Sequence, residues 1–226
     1  MDPIVLEQLD TCEVLRYMGC PPEQADPATL ALARDCAEEI LDHISPRWTY
    51  KADDVSLSDD GAQLGCGLLL SGRDICRHLQ GCEKAILFAV TLSAGADLAI
   101  RRAESRDLAR ALCLDCCATA AVEQACDRIE EQLHAAYPDQ SFTTRFSPGY
   151  GDLPLSLQGP LLDQLDGPRR IGLCVNDHHI LTPRKSVTAI IGLYQGEKQA
   201  AGRRCKDCLS FEGCYYRKAG GHCGLS

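Results

Sequence analysis

The stretch Trp48-Thr49-Tyr50-Lys51-Ala52-Asp53-Asp54-Val55-Ser56-Leu57, followed by Asp59-Asp60-Gly61 and then Gln63-Leu64-Gly65-Cys66-Gly67-Leu68-Leu69-Leu70, decides the fold. Two runs that read as strands flank a turn signal, so they are expected to pair as an antiparallel hairpin. Before them, Asp26-Pro27 reads as an N-cap with proline at the first helical position. Leu30, Ala33, Ala37, Ile40, Leu41 and Ile44 then recur at helical spacing until Ser45-Pro46 ends the helix. After them come a short helix between Ser71 and Gly81, a buried strand over 84–92, and a turn opened by Gly95. The strongest helical pattern covers 106–136, where Ala118, Val122, Cys126, Ile129 and Leu133 are spaced 4, 4, 3 and 4 apart. Ser156 caps a short helix ending at Leu165, and 171–175 and 186–194 read as strands. Strands and helices do not alternate regularly and several connections look like hairpins. The pattern therefore predicts an α+β fold, a twisted, mainly antiparallel sheet with flanking helices. No glycine-rich dinucleotide loop follows a strand.

Composition narrows the classes. A chain of 226 residues that is 45% hydrophobic can bury one sizeable core. The expected division is a folded domain over 1–198 and a cysteine-rich tail over 199–226. The longest apolar run, 85–92, is far shorter than the roughly 20 residues that cross a bilayer. The first ten residues carry three acidic groups and no basic one, unlike a secretion signal. A cytoplasmic protein without membrane association is expected. The net charge of −9 argues against a nucleic-acid partner, which needs a basic surface. Fifteen cysteines in a reducing compartment are divided between small buried hydrophobes and metal ligands. Cys12, Cys20, Cys36, Cys113, Cys126 and Cys174 fall in apolar patterns and read as packing.

Two segments carry chemistry. Arg145-Phe146-Ser147-Pro148-Gly149-Tyr150 ends a short apolar β-like run in a turn. Pro148 fixes φ, Gly149 permits positive φ or close approach to a ligand, and Tyr150 adds an aromatic face with a hydroxyl. Arg145 offers a fork of donors suited to a carboxylate. On the long helix, Cys116, Thr119, Ala120 and Glu123 form a face of small residues followed by one carboxylate: either a tight packing seam or a pocket wall. The second segment is Cys205-x2-Cys208-x5-Cys214-x8-Cys223, set among Arg203, Arg204, Lys206, Arg217 and Lys218. Four thiols beyond the last predicted strand imply a metal. An iron-sulfur cluster tolerates such irregular spacing, and zinc is the alternative, since zinc ribbons usually show two Cys-x2-Cys pairs.

Taken together, Leu70-Ser71-Gly72-Arg73-Asp74-Ile75, Ala89-Val90-Thr91-Leu92, Asp115-Cys116-Cys117-Ala118-Thr119-Ala120-Ala121-Val122-Glu123, the Arg145 turn and Leu181-Thr182-Pro183-Arg184-Lys185-Ser186-Val187 resemble one family. It is the activation (S-adenosylmethionine-binding) domain of cobalamin-dependent methionine synthase, here in free-standing form, over residues 14–194. The resemblance implies that Glu123, Arg145 and Tyr150 contact S-adenosylmethionine, helped by the Pro148-Gly149 backbone. It also implies an acidic contact near the start of the domain, which the resemblance does not assign to a particular residue here.

The implied activity is reactivation of a corrinoid-dependent methyltransferase, a methionine synthase lacking its own activation domain, by reductive methylation of cobalt. Such a chain is one part of a methyltransferase system, and the nucleophile is the partner's cobalt, so no catalytic Ser, Cys or His is needed. No Asp-x-His-x-x-Gly element is present, and cobalamin enters only through that partner. The electron comes from a donor such as flavodoxin or ferredoxin. The alternatives are an activator of a different corrinoid methyltransferase, and a non-catalytic, metal-stabilised module that docks corrinoid proteins. His178-His179 either lines the corrinoid face or lies on the surface. Ser93 stands where related free-standing proteins usually have glycine, which bears on a tight turn.

Overall fold

The computed structural model describes residues 3–196. Its centre is a six-stranded antiparallel sheet of order β3-β2-β1-β4-β8-β5. The strands are β1 (Arg47–Ser58), β2 (Gly61–Leu64), β3 (Leu69–Ser71), β4 (Lys84–Thr91), β5 (Ser141–Phe142) and β8 (Ser186–Tyr194), and a separate hairpin joins β6 (Cys174–Val175) to β7 (Leu181–Thr182). This is the α+β fold expected. The register of β4 is complete on both sides, from Arg47↔Thr91 to Asp54↔Lys84 against β1 and from Lys84↔Leu193 to Thr91↔Ser186 against β8.

Beyond Lys84, every residue of β4 is buried, which explains its unbroken apolar sequence: it has no solvent face. Ile86, Phe88 and Val90 point to one side, where they meet α1 (Thr11–Tyr17), α2 (Pro27–His43), α4 (Ala94–Glu104) and α5 (Leu108–Ala136). Ala85, Leu87 and Ala89 point to the other, toward α3 (Arg73–His78), α6 (Gln158–Leu165) and α7 (Gly167–Ile171). No helix among the described residues is long and apolar enough to cross a membrane.

The hairpin forms as read, with Ser58 paired to Gly61, and Asp26 caps α2 by accepting from Ala28 N at 2.8 Å and Thr29 N at 3.0 Å. Several expectations need correction. The strand expected over 63–70 is two strands, because Leu64 N bonds Leu68 O at 2.9 Å and Cys66 N donates to Asp53 Oδ2 at 2.8 Å, folding the chain back at Gly65-Cys66-Gly67. The strand expected over 171–175 is reduced to Cys174 and Val175, since Ile171 ends α7. Cys36, Cys113 and Cys126 are buried and Cys20 is half-buried, but Cys12 and Cys174 are exposed rather than in the core. The four cysteines of the tail lie outside the described residues.

Gly95 does not open a turn. It sits in the first turn of α4, where a Cβ would overlap the His43 carbonyl oxygen, so glycine is there for close packing of α4 on the end of α2. Ser93, the N-cap of α4, has φ 68 and ψ 179, a region that L-residues rarely occupy. A 2.6 Å bond from its Oγ to Ser45 O and a 3.1 Å bond from its N–H to Thr91 Oγ1 hold it there. Ser93→Ala keeps the strained backbone and loses the hydroxyl bond, lowering stability by about 1 kcal/mol. Ser93→Gly loses the same bond and sheds the strain, so it should exceed the alanine variant by about 1 kcal/mol in urea unfolding. A glycine variant less stable than the alanine variant would refute this account of the turn.

Candidate functional site

A cleft of about 600 Å³ runs along the edge of β8. β5 is only two residues long and pairs with Tyr194 and Leu193, and Phe146 makes one further bridge to Ile190, so no strand covers the remainder of that edge. Phe146 and Ile190 exchange both backbone bonds at 3.0 and 2.8 Å. By strand alternation the backbone groups of Thr188 face the same open side. α1 contributes Arg16 and Tyr17 to the walls, α5 contributes Thr119, Glu123, Asp127 and Glu130, and β8 contributes Ser186, Val187 and Thr188. Arg145, Ser147 and Tyr150, together with Gln158 at the start of α6, complete the lining.

Two of the expected residues meet directly. Arg145 Nη2 lies 3.1 Å from Glu123 Oε2, and Nη1 lies 2.9 Å from Asp127 Oδ1 and 2.6 Å from Glu130 Oε1. Glu123, Asp127 and Glu130 are spaced four and three apart, so one face of α5 presents all three carboxylates to one guanidinium. Three negative charges on one positive charge leave an excess suited to a cation. Burial pushes Glu130 above the usual carboxylate range, with Arg145 opposing the rise, so Glu130 is held as a reluctant anion. Burial likewise raises the Tyr17 phenol, which stays a neutral hydroxyl beside the stacked Arg16 guanidinium, 4.1 Å above its ring.

Pro148 is buried and Gly149 exposed. Tyr150 N donates to Ser147 O at 3.0 Å across the Pro148-Gly149 pair, and Gly149 has φ 93, the signature of a type II turn. Here Pro148 and Gly149 shape the turn, while Tyr150, 46% exposed and edge-on to Phe146 at 6.2 Å, reaches the cleft. His178 and His179 are exposed in the β6–β7 turn, away from the lining.

The quoted sequence segments are bonded to one another around this cleft. Asp152, two residues after Tyr150, accepts from Arg73 N at 2.7 Å and Asp74 N at 3.0 Å, and its own N–H donates to Asp74 Oδ2 at 3.3 Å. Lys185 Nζ donates to Thr119 Oγ1 at 2.9 Å and to Asp115 O at 3.0 Å, and its ammonium pairs with Asp115 Oδ1 at 3.0 Å. Arg184 N donates to Asp97 Oδ2 at 2.8 Å, and Ser186 Oγ bonds Thr91 Oγ1 at 2.8 Å. Sequence reasoning missed Arg16, Tyr17, Asp127, Glu130 and Gln158. The acidic pair was legible in the i, i+4, i+7 spacing from Glu123; the others carry no local signal. Among the described residues no cluster of His, Cys, Asp and Glu has the makings of a metal site.

No family model matches the chain, and no curated protein matches it. Among solved structures it is similar to the crystal structure of the MetH reactivation domain bound to AdoHcy, with a TM-score of 0.64 and 15% identity. The match covers 94% of this chain and 82% of that one. The fold is reactivation-domain-like.

Proposed function

We propose that the cleft binds S-adenosylmethionine, and that the protein uses it to reactivate a corrinoid-dependent methyltransferase, a methionine synthase without its own activation domain. The observation that carries this reading is the excess of carboxylate around Arg145 in a cleft of about 600 Å³, large enough for a nucleoside with an amino acid attached. The fold likeness to a domain seen with AdoHcy supports it. Glu123 and its neighbours offer counter-charge to the sulfonium and α-ammonium. Arg145 exchanges a carboxylate of α5 for that of the ligand, and Tyr150 covers the ligand from the Pro148-Gly149 turn. The methyl acceptor is the partner's reduced cobalt. The carbon–sulfur bond breaks as the cobalt–carbon bond forms, and the sulfur leaves as a neutral thioether. This chain's contribution is to hold donor and acceptor in line and exclude water.

The domain over 1–198 carries this site. The tail over 199–226 is proposed to hold an iron-sulfur cluster on Cys205, Cys208, Cys214 and Cys223, with zinc as the alternative, and to dock an electron donor such as flavodoxin or ferredoxin. The support is the sequence: four thiols within 19 residues, flanked by basic groups.

Calorimetric titration with S-adenosylmethionine tests the common premise, and no binding would end this reading. Glu123→Gln should weaken binding by about 1.5–3 kcal/mol, the scale of a charge-assisted hydrogen bond. Unchanged affinity in both Glu123→Gln and Arg145→Ala would place the ligand elsewhere. Arg145→Met also strands Glu130, the most buried of the three carboxylates, and should lower stability at pH 7. Burial already holds the Glu130 carboxyl high, and without the opposing guanidinium it takes up a proton more readily than in the parent, so the urea-midpoint deficit should shrink as pH falls. For the tail, anaerobically purified protein should be brown and contain iron and acid-labile sulfide. Cys208→Ser with Cys214→Ser should abolish cobalt reduction and leave S-adenosylmethionine affinity intact. A colourless protein with one stoichiometric zinc would remove the redox role.

A further inference from the structure

Gln158 opens α6, and the inward residues that follow it, Leu161, Leu162 and Leu165, pack into the core under the sheet. A primary amide is out of character in that row. Gln158 keeps only 8% of its surface, and leaving a buried amide unbonded costs on the order of 1–3 kcal/mol. Half of it is satisfied: the hydroxyl of Thr188, 2% exposed on β8, donates to Gln158 Oε1. That bond orients the amide, because Oε1 accepts and Thr188 has no other acceptor among the described residues. Nε2, with two N–H donors, has no partner among the described residues. It is not sealed in the core either. The only buried, unbonded side-chain polar atoms among the described residues are Thr49 Oγ1 and Gln140 Oε1, and Gln158 lines the cleft.

Gln158 is bonded to Thr188, and the lining that β7 and β8 contribute with it is neutral. Thr188, Ser186, Val187 and Leu181 come from β7 and β8, whereas the ionised groups of the cleft sit on α1, on α5 and at Arg145. A fixed neutral donor in neutral surroundings is matched to a neutral acceptor, a ring nitrogen or a sugar oxygen, and mismatched to an ammonium. Resting on the reading of the cleft as an S-adenosylmethionine site, we propose that Gln158 determines specificity at its uncharged end: the amide, oriented by Thr188, donates to an acceptor atom of the ligand's nucleoside.

The test uses two probes. S-adenosylmethionine carries the amino acid and the positive charge, and 5′-methylthioadenosine keeps the nucleoside without either. Wild-type protein should bind both. Gln158→Met, similar in volume and unable to donate, should lose about tenfold for each probe, since one hydrogen bond of about 1.4 kcal/mol is a factor of ten. Glu123→Gln should lose affinity for S-adenosylmethionine alone. Thr188→Val frees the amide to rotate and should lose about threefold for both probes, and it carries the test if Gln158→Met fails to fold by circular dichroism. A folded Gln158→Met within twofold of wild type for 5′-methylthioadenosine overturns the proposal. So does a loss confined to S-adenosylmethionine, which would put the amide at the amino-acid end. Wild-type protein that binds neither probe overturns the reading of the cleft and this inference with it, whereas normal wild-type binding with an indifferent Gln158→Met overturns the inference alone.

Discussion

Burial of β4 on both faces is the constraint on which the rest of the architecture depends. A strand with no solvent face must be covered twice, so the helices divide into two layers, and every side chain of β4 from Ala85 to Val90 is committed to one of two cores. Its backbone is equally committed, paired over its full length with β1 and with β8. β8 therefore has one edge left to offer. β5 covers only the end of it, and the opening that remains is where α1, α5 and the Arg145 turn converge. The cleft follows from an edge strand whose neighbour is too short, with helical layers on either side to wall it.

Electrostatics within that opening are asymmetric by construction. α5 delivers three carboxylates on one face because their spacing follows the helical period, and one guanidinium cannot neutralise them. The lining contributed by β7, β8 and the start of α6 is hydroxyl, amide and aliphatic. The charged part of the lining suits a cation and the neutral part an uncharged group, the division on which the proposed ligand reading rests. The bonds that anchor this arrangement run between segments far apart in the chain: Asp152 to α3, Lys185 to α5, Arg184 to α4 and Ser186 to β4. They tie the elements around the cleft to one another.

Elements with complete local signals were readable from the chain alone. α2 had its cap, its Pro27 and its apolar period; α5 had a stripe repeated over five positions; β4 had a run too short for a membrane and too apolar for a surface. Elements whose signals were overwritten by packing were not. α4 begins with Ser93, Ala94 and Gly95, which read locally as a turn, because the glycine is demanded by the neighbouring His43 carbonyl and not by the backbone's own path. α1 has only seven residues, too few for a periodicity to emerge, although Asp10 caps it by accepting from Cys12 N at 2.8 Å. The single strand read over 63–70 became two because an aspartate on β1, Asp53, bonds the turn between them.

The same division holds at the site. By itself the sequence determined that Arg145 precedes a Pro-Gly turn ending in Tyr150, and that Glu123 stands on a helical face of small residues. It determined that the remaining acids of that face recur at helical intervals, since each of these is a relation between residues a few positions apart. Only the tertiary structure decided that the guanidinium is enclosed by all three carboxylates, that Tyr17 of α1 forms part of the wall, and that Gln158 meets Thr188 thirty residues later in a row otherwise made of leucines. Those contacts depend on how the strands order themselves around β4. The apolar run of β4 records that the strand is buried, but which strands pair with it and which helices cover it depends on contacts between distant segments, which no local stretch records.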